Sequence, residues 1–207
     1  MLIVSIFLFR FICITVLKIA ITGGFGCGKS TLLEFLEAKG TACLSTDSMV
    51  SRLLSEDSSV ISAVIRRFGG ECKNEDGSVD KSRIAKIVFR SHSDLEWLES
   101  LLHPPVKEAY LKFLKDHEKS SAVVEIPLLF EKRLEKDFDL IVSIICSDAI
   151  ANKRLRLKGY SERDITFRRQ HQLPCSIKAE RSDFVLSNDG SLNFLEQQMT
   201  SLLSYLK

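Results

Sequence analysis

Eight consecutive residues, Gly23-Gly24-Phe25-Gly26-Cys27-Gly28-Lys29-Ser30, spell G-x-x-x-x-G-K-[ST] without a mismatch. The chemistry such a string can do is to hold a chain of phosphates. Glycines let backbone N–H groups turn inward around phosphate oxygens where a β-carbon would crowd them. A lysine in the place of Lys29 reaches the β- and γ-phosphates, and a hydroxyl in the place of Ser30 can ligate Mg²⁺. A helix starting at Ser30 would point its positive dipole end at the same anion. Two carboxylates are candidates to work beside this loop. Asp47 stands where a short apolar run ends, so it can accept a hydrogen bond from an acceptor hydroxyl, or act as N-cap of a helix beginning at Ser48. Glu125 closes another apolar run, Ala122-Val123-Val124, and is read either as a carboxylate helping to hold Mg²⁺ or as a strand-end acid facing solvent.

The elements that must position these residues are legible around them. Lys18 to Thr22 is a short apolar run of the buried-strand kind, and Leu32, Leu33, Phe35 and Leu36 recur at helical spacing before Gly40 stops the helix. Residues 41–46 read as a second strand. Segments 48–68, 80–91 and 94–118 read as helices, punctuated by Gly69-Gly70, Asp76-Gly77 and His103-Pro104-Pro105. Residues 121–126, 138–146 and 184–186 read as further strands, and a last helix follows Asn188-Asp189-Gly190. Strands alternating with helices argue for an α/β fold with a parallel sheet covered on both faces. Two regions, 48–118 and 147–181, exceed a simple crossover. In a phosphotransferase such excess can bind an acceptor and close over ATP, excluding water as a competing acceptor.

Composition sets limits. At 207 residues the chain fits one α/β domain. A net charge of +2 carries no global signature of polyanion binding, so no nucleic-acid partner is expected. Basic residues nevertheless crowd 152–181, where Lys153, Arg154, Arg156, Lys158, Arg163, Arg168, Arg169, Lys178 and Arg181 face only Glu162, Asp164 and Glu180. This patch suits phosphate at a neighbouring loop. The six cysteines form no C-x-x-C pair and no zinc spacing, which points to reduced core thiols in a cytoplasmic protein. Residues 1–17 are an apolar extension without the features of a signal peptide, and Arg10 interrupts them near the middle. The abrupt junction at Lys18 favours a mis-assigned translation start, and no stable membrane association is expected. No N-K-x-D follows Asn152-Lys153 and no L-S-G-G-Q is present, which disfavours GTPases and transporter ATPases.

Together several stretches resemble the dephospho-CoA kinase family. They are residues 22–31, Thr46-Asp47, Phe68-Gly69-Gly70, Asp76-Gly77, Val88-Phe89 and His103-Pro104. They continue with Pro127-Leu128-Leu129-Phe130-Glu131, Gln172-Leu173-Pro174 and Ser182 to Gly190. The resemblance implies a P-loop kinase fold: a five-stranded parallel sheet flanked by helices, with a helical substrate-binding insertion and a lid. It divides the chain into a core of 18–47, 119–147 and 182–207, an insertion of 48–118 and a lid of 148–181. The implied reaction moves the γ-phosphoryl of ATP to the ribose 3′-hydroxyl of dephospho-CoA with Mg²⁺, by a monomer or small homo-oligomer.

Residue by residue, the resemblance implies catalytic roles for Asp47, Lys29, Arg154 and Arg168. It implies nucleotide contacts for Gly23, Gly24, Gly26, Cys27, Gly28, Lys29, Ser30, Thr31 and Asn188, acceptor contacts for Asp47 and His103, and metal contacts for Ser30 and Glu125. The sequence departs from the family pattern at Ser45, where a first aspartate is frequent, and at Lys158, where an arginine is common. Lysine cannot form a bidentate fork, so a weaker lid closure is expected. The rival readings are a nucleoside or nucleotide kinase of the same fold, and a membrane-tethered NTP-binding regulator.

Overall fold

The computed structural model describes residues 16–205. The start-site reading concerns residues of which 1–15 lie outside the described ones. Five parallel strands, β1 (Lys18–Gly23), β2 (Ala42–Ser45), β3 (Ala122–Glu125), β4 (Leu140–Ile145) and β5 (Phe184–Ser187), lie in the order β2-β3-β1-β4-β5. From β1 the chain runs out to the edge at β2, returns to fill β3 beside β1, and then crosses to β4 and β5 on the other side. That reversal opens a crevice at the carboxyl ends of the central strands, where open α/β sheets take their ligands. Gly23, Ser45 and Glu125 all stand at this edge.

Alternation along the strands sorts the core. Ile19 and Ile21 face one side with Val123, Val142, Ile144 and Leu186, and are covered by α1 (Lys29–Ala38) and α9 (Leu192–Tyr205) through Leu32, Leu33, Leu36, Leu195 and Met199. Ala20, Val124 and Ile141 face the other side. They pack against Leu129 and Phe130 and against Tyr110 and Leu114 of α5 (His92–Asp116). The helices α2 (Thr46–Glu56), α3 (Ser58–Phe68), α4 (Lys81–Val88) and the first half of α5 enclose a third apolar cluster of their own, centred on Val64, Cys72, Val79, Ile84 and Leu102. Helices α6 (Asp148–Leu157), α7 (Glu162–Gln170) and α8 (Cys175–Glu180) connect β4 to β5.

Three sequence expectations are corrected. Segment 48–68 is two helices, because Asp57 ends α2 and its carboxylate accepts from the amides of Ser59 and Val60 to start α3. His103-Pro104-Pro105 is not a break: α5 runs through it. Neither proline can donate to the preceding turn, but Leu98, Leu102, Val106, Tyr110 and Leu114 form one buried stripe whose packing holds the helix together across the gap. The cap of α2 is Ser45, not Asp47. The Ser45 hydroxyl accepts from Ser48 N, the helix starts at Thr46, and Asp47 sits in its first turn with its side chain free for other work.

Candidate active site

Residues 24–28 form the turn between β1 and α1, and local conformation explains the glycines that matter most. Gly28 caps α1 in the left-handed region, φ 100°, and a β-carbon there would strike the Asn188 side-chain amide. Asn188, buried at the end of β5, donates from that amide to the Cys27 carbonyl at 2.8 Å. Its position after β5 thus braces the loop directly. Lys29 is buried, and its Nζ donates to the carbonyls of Gly23 and Gly24, 3.1 Å each. The loop backbone itself thus holds the lysine.

A cleft of ≈ 370 Å³ opens in front of this turn. Gly26, Gly28, Lys29, Ser30, Thr31, Asp47, Glu125, Arg154 and Asn188 all line it, joined by Ser45, Lys158, Phe25 and Tyr160. Residues predicted from distant parts of the sequence therefore converge. Arg154, from α6, donates through Nη2 to the Asn188 carbonyl at 3.0 Å, while its Nη1 is buried without a partner. An orphaned guanidinium N–H beside a glycine loop is suited to an anionic oxygen.

The carboxylates are held unequally. Burial raises the Glu125 carboxyl above its ordinary range, the Asp47 charge adds to this, and Lys29 and a hydrogen bond from Ser45 oppose it. That hydrogen bond, Ser45 Oγ to Glu125 Oε2, is 2.6 Å. Ser45 thus caps α2 and anchors Glu125, two tasks its departure from the family pattern did not suggest. Glu125 is buried, so the alternative of a solvent-facing strand-end acid is corrected. Ser30, Asp47 and Glu125 offer hard oxygen donors of the kind Mg²⁺ takes. Among the described residues no group of three or more His, Cys, Asp or Glu could hold a metal ion, so a cation here would draw its remaining ligands from phosphate oxygens and water.

A second, mostly apolar groove of ≈ 520 Å³ adjoins the first. Val50 of α2, His103, Pro104, Val106 and Tyr110 of α5, and Ile126, Pro127, Leu128 and Leu134 line it, with Lys107 and Lys132 among its few charges. Asp47 lines both spaces. Burial and the neighbouring Lys132 charge push the His103 imidazole below its ordinary range, against the pull of Glu99.

Four predicted residues stand elsewhere. Arg168 does not line the phosphate cleft; its guanidinium lies 5.1–5.2 Å from the rings of Phe25, Tyr160 and Phe89. Its Nε is buried without a partner. Through these rings it ties the glycine loop, α7 and the end of α4 together. Gly23, Gly24 and Cys27 are also absent from the phosphate cleft, and Gly24 lines the cleft on the other side of the loop. Gly23 lies beneath the loop against Ile144, and the Cys27 side chain points to the opposite side.

One further arrangement escaped the sequence. Lys178 of α8 is fully buried, paired with Glu131 at 2.9 Å and donating to the Pro127 carbonyl. Thr22 of β1 donates to the same carbonyl, and Glu131 also accepts from Leu173 N at 2.7 Å. This network fixes the Pro127–Glu131 wall of the groove against both β1 and the segment leading into α8. Only the sequence motif at 127–131 hinted at it; nothing in the spacing linked it to Lys178.

The chain is similar to known proteins over nearly all of its length. A family model described as dephospho-CoA kinase matches residues 17–193. A dephospho-CoA kinase of Protochlamydia amoebophila is 33% identical over 196 residues, covering 92% of this chain and 96% of the relative. One of Bdellovibrio bacteriovorus is 30% identical over 192 residues, covering 91% and 96%. The crystal structure of TT1252 from Thermus thermophilus superposes with a TM-score of 0.77 at 29% identity, covering 93% of this chain and 99% of that one.

Proposed function

The chain belongs to the dephospho-CoA kinase family, and we propose that its two adjoining clefts are the donor and acceptor sites of that reaction. The γ-phosphoryl group of ATP passes to the ribose 3′-hydroxyl of dephospho-CoA, giving coenzyme A and ADP. The observation that carries this reading is Asp47, the acidic residue lining both spaces. In the polar cleft a nucleotide's phosphates find Lys29, the loop amides and the unpartnered N–H of Arg154. In the apolar groove an acceptor finds hydrocarbon walls with His103 and two lysines.

Phosphoryl transfer passes through a loose transition state, so positioning and charge stabilisation do most of the work. Asp47 accepts the proton of the acceptor hydroxyl and directs its oxygen toward the cleft. Lys29 leaves its two carbonyls for phosphate oxygens, and Arg154 supplies a second cation. Arg168 acts from behind Phe25 and Tyr160, where its packing holds the glycine loop against α7; it meets phosphate only if this segment closes as a lid. Ser30 and Glu125 would hold Mg²⁺, which would supply charge neutralisation between the phosphates. Helices α2–α5 form the acceptor-binding insertion and residues 148–181 the lid. We place the reaction in the cytoplasm, where ATP is made and thiols stay reduced. Among the described residues no helix is long and apolar enough to cross a membrane.

The test is ADP release by the purified full chain, offered dephospho-CoA, nucleosides, nucleoside monophosphates and no acceptor. The reading requires release that depends on dephospho-CoA. Equal or greater release with a nucleoside monophosphate would transfer the protein to the nucleotide kinases, and acceptor-independent release would end the phosphotransferase reading.

A further inference from the structure

Behind the glycine loop, on the side away from the phosphate cleft, three cysteine sulfurs meet. Cys27 of the loop lies with its Sγ 3.4 Å from that of Cys146, just past the end of β4, and 3.8 Å from that of Cys175, the first residue of α8. The phosphotransfer chemistry uses none of these thiols. They are not sealed in: all three line a separate cleft of ≈ 460 Å³. The loop is packed hard against them, since a β-carbon on Gly24 would collide with the Cys175 sulfur.

We propose that this cluster is a modification site at which peroxides join Cys27 to Cys146 and thereby withdraw the glycine loop from phosphate binding. Cys146 is the sulfur to react first. The hydrogen bond it shares with Cys27 holds its pKa below the ordinary cysteine range against burial, and the Arg154 charge adds to the effect. Cys27 and Cys175 are both pushed the other way. The Cys146 thiolate attacks the peroxide O–O bond, and its sulfur is oxidised to the sulfenic acid while the leaving oxygen takes a proton and departs as water. The Cys27 sulfur then attacks the sulfenic sulfur. The S–S bond forms, the S–O bond breaks, and the oxygen leaves as water with the Cys27 proton. Two thiols lose two electrons and two protons, and one peroxide becomes two waters.

Closing a 3.4 Å separation to a covalent bond of about 2 Å moves the sulfurs together by more than an ångström. Cys27 carries much of that movement, because Cys146 follows a strand paired on both sides. Its carbonyl is the acceptor of the Asn188 brace, so the displacement reaches the loop backbone. A misplacement of about 1 Å in such a site costs on the order of a hundredfold in rate.

The full chain, exposed to a few equivalents of hydrogen peroxide and then desalted, should bind a fluorescent ATP analogue at least tenfold more weakly. Binding should recover with dithiothreitol, and peptide mapping should find residue 27 linked to residue 146. Cys146→Ser should keep its basal binding and resist the loss, with Cys146→Ala as the alternative should the serine disturb folding. Cys175→Ser should be inactivated like the wild type. The proposal fails if no 27–146 link forms, if the link forms without weakening nucleotide binding, or if the Cys146 variants lose binding at the wild-type rate. The readout uses no acceptor, so it stands or falls apart from the identity of the phosphoryl acceptor.

Discussion

The phosphate cleft and the apolar groove share Asp47 and little else. The first gathers the glycine turn and Lys29 with Glu125 at the end of β3, Asp47 in the first turn of α2, and Arg154 of α6. The second is assembled from the start of α2, the middle of α5 and the 126–134 loop, and its walls are hydrocarbon. A site made of backbone and charge recognises what every nucleotide triphosphate has. A site made of shape recognises one partner, and its walls can change by single substitutions without touching the donor. Changes on the polar side should therefore appear in kcat, and changes on the apolar side in the acceptor's KM.

The sharpest way to break this division is at the residue common to both sides. Asp47→Asn is expected to lower kcat by roughly 10³-fold while leaving the nucleotide Kd within about twofold. Single-turnover kinetics with titrated nucleotide binding checks it, and a near-normal kcat would remove Asp47 from the chemistry. Next is the joint that fixes one wall of the groove. Glu131→Ala leaves Lys178 buried without its carboxylate and should destabilise the protein by about 3 kcal/mol, seen as a lower urea midpoint. The double replacement by Met at 131 and 178 should recover most of that loss. If the single and double variants unfold alike, the pair's charge is not what the site depends on.

A smaller effect separates the two sides directly. His103→Gln should raise the KM for dephospho-CoA by about tenfold, with the KM for ATP unchanged, because His103 lines only the groove. A matching rise in both constants would merge the two sites into one. The smallest effect is on pH dependence. Burial and Lys132 depress the His103 imidazole in the fold, so the unfolded chain takes up its proton first as pH falls. Stability present above the ordinary histidine range, about 6.5, is then lost as pH falls through that range toward the depressed value. Denaturant midpoints between pH 5 and 7.5 should show a flatter acid slope in His103→Gln than in the wild type. Glu125 is shifted upward and gives the opposite slope, but it is common to both proteins and drops out of the difference.

What could be read in advance divides along the same line. Asp47, read at the end of the second strand, stands in the first turn of α2, whereas strand, loop and α1 were legible because the residues that make them are neighbours, and so was the strand-end position of Glu125. The groove was not. His103 entered only through a resemblance, and its setting depends on α5 staying helical across two prolines, which burial of five residues on one stripe decides and no local propensity announces. Lys178 looked like one more member of a basic surface, yet it is fully buried, because its partner Glu131 lies 47 residues upstream and on another element. Ser45 looked like a missing carboxylate, and its two hydrogen bonds could be seen only once α2 and β3 were placed. The three thiols behind the loop share no spacing rule at all. Their meeting is a property of the sheet order, which brings the end of β4 next to β1.

The resting position of Lys29 has a consequence for selectivity by length. Its ammonium already has two carbonyl acceptors, at 3.1 Å each, so a ligand gains from the lysine only what exceeds those bonds. A nucleotide whose last phosphate stops short leaves the ammonium on its carbonyls and gains no hydrogen bond from it, only the longer-range pull of its charge. The loop thus sets its own carbonyls in competition with any phosphate that reaches the lysine.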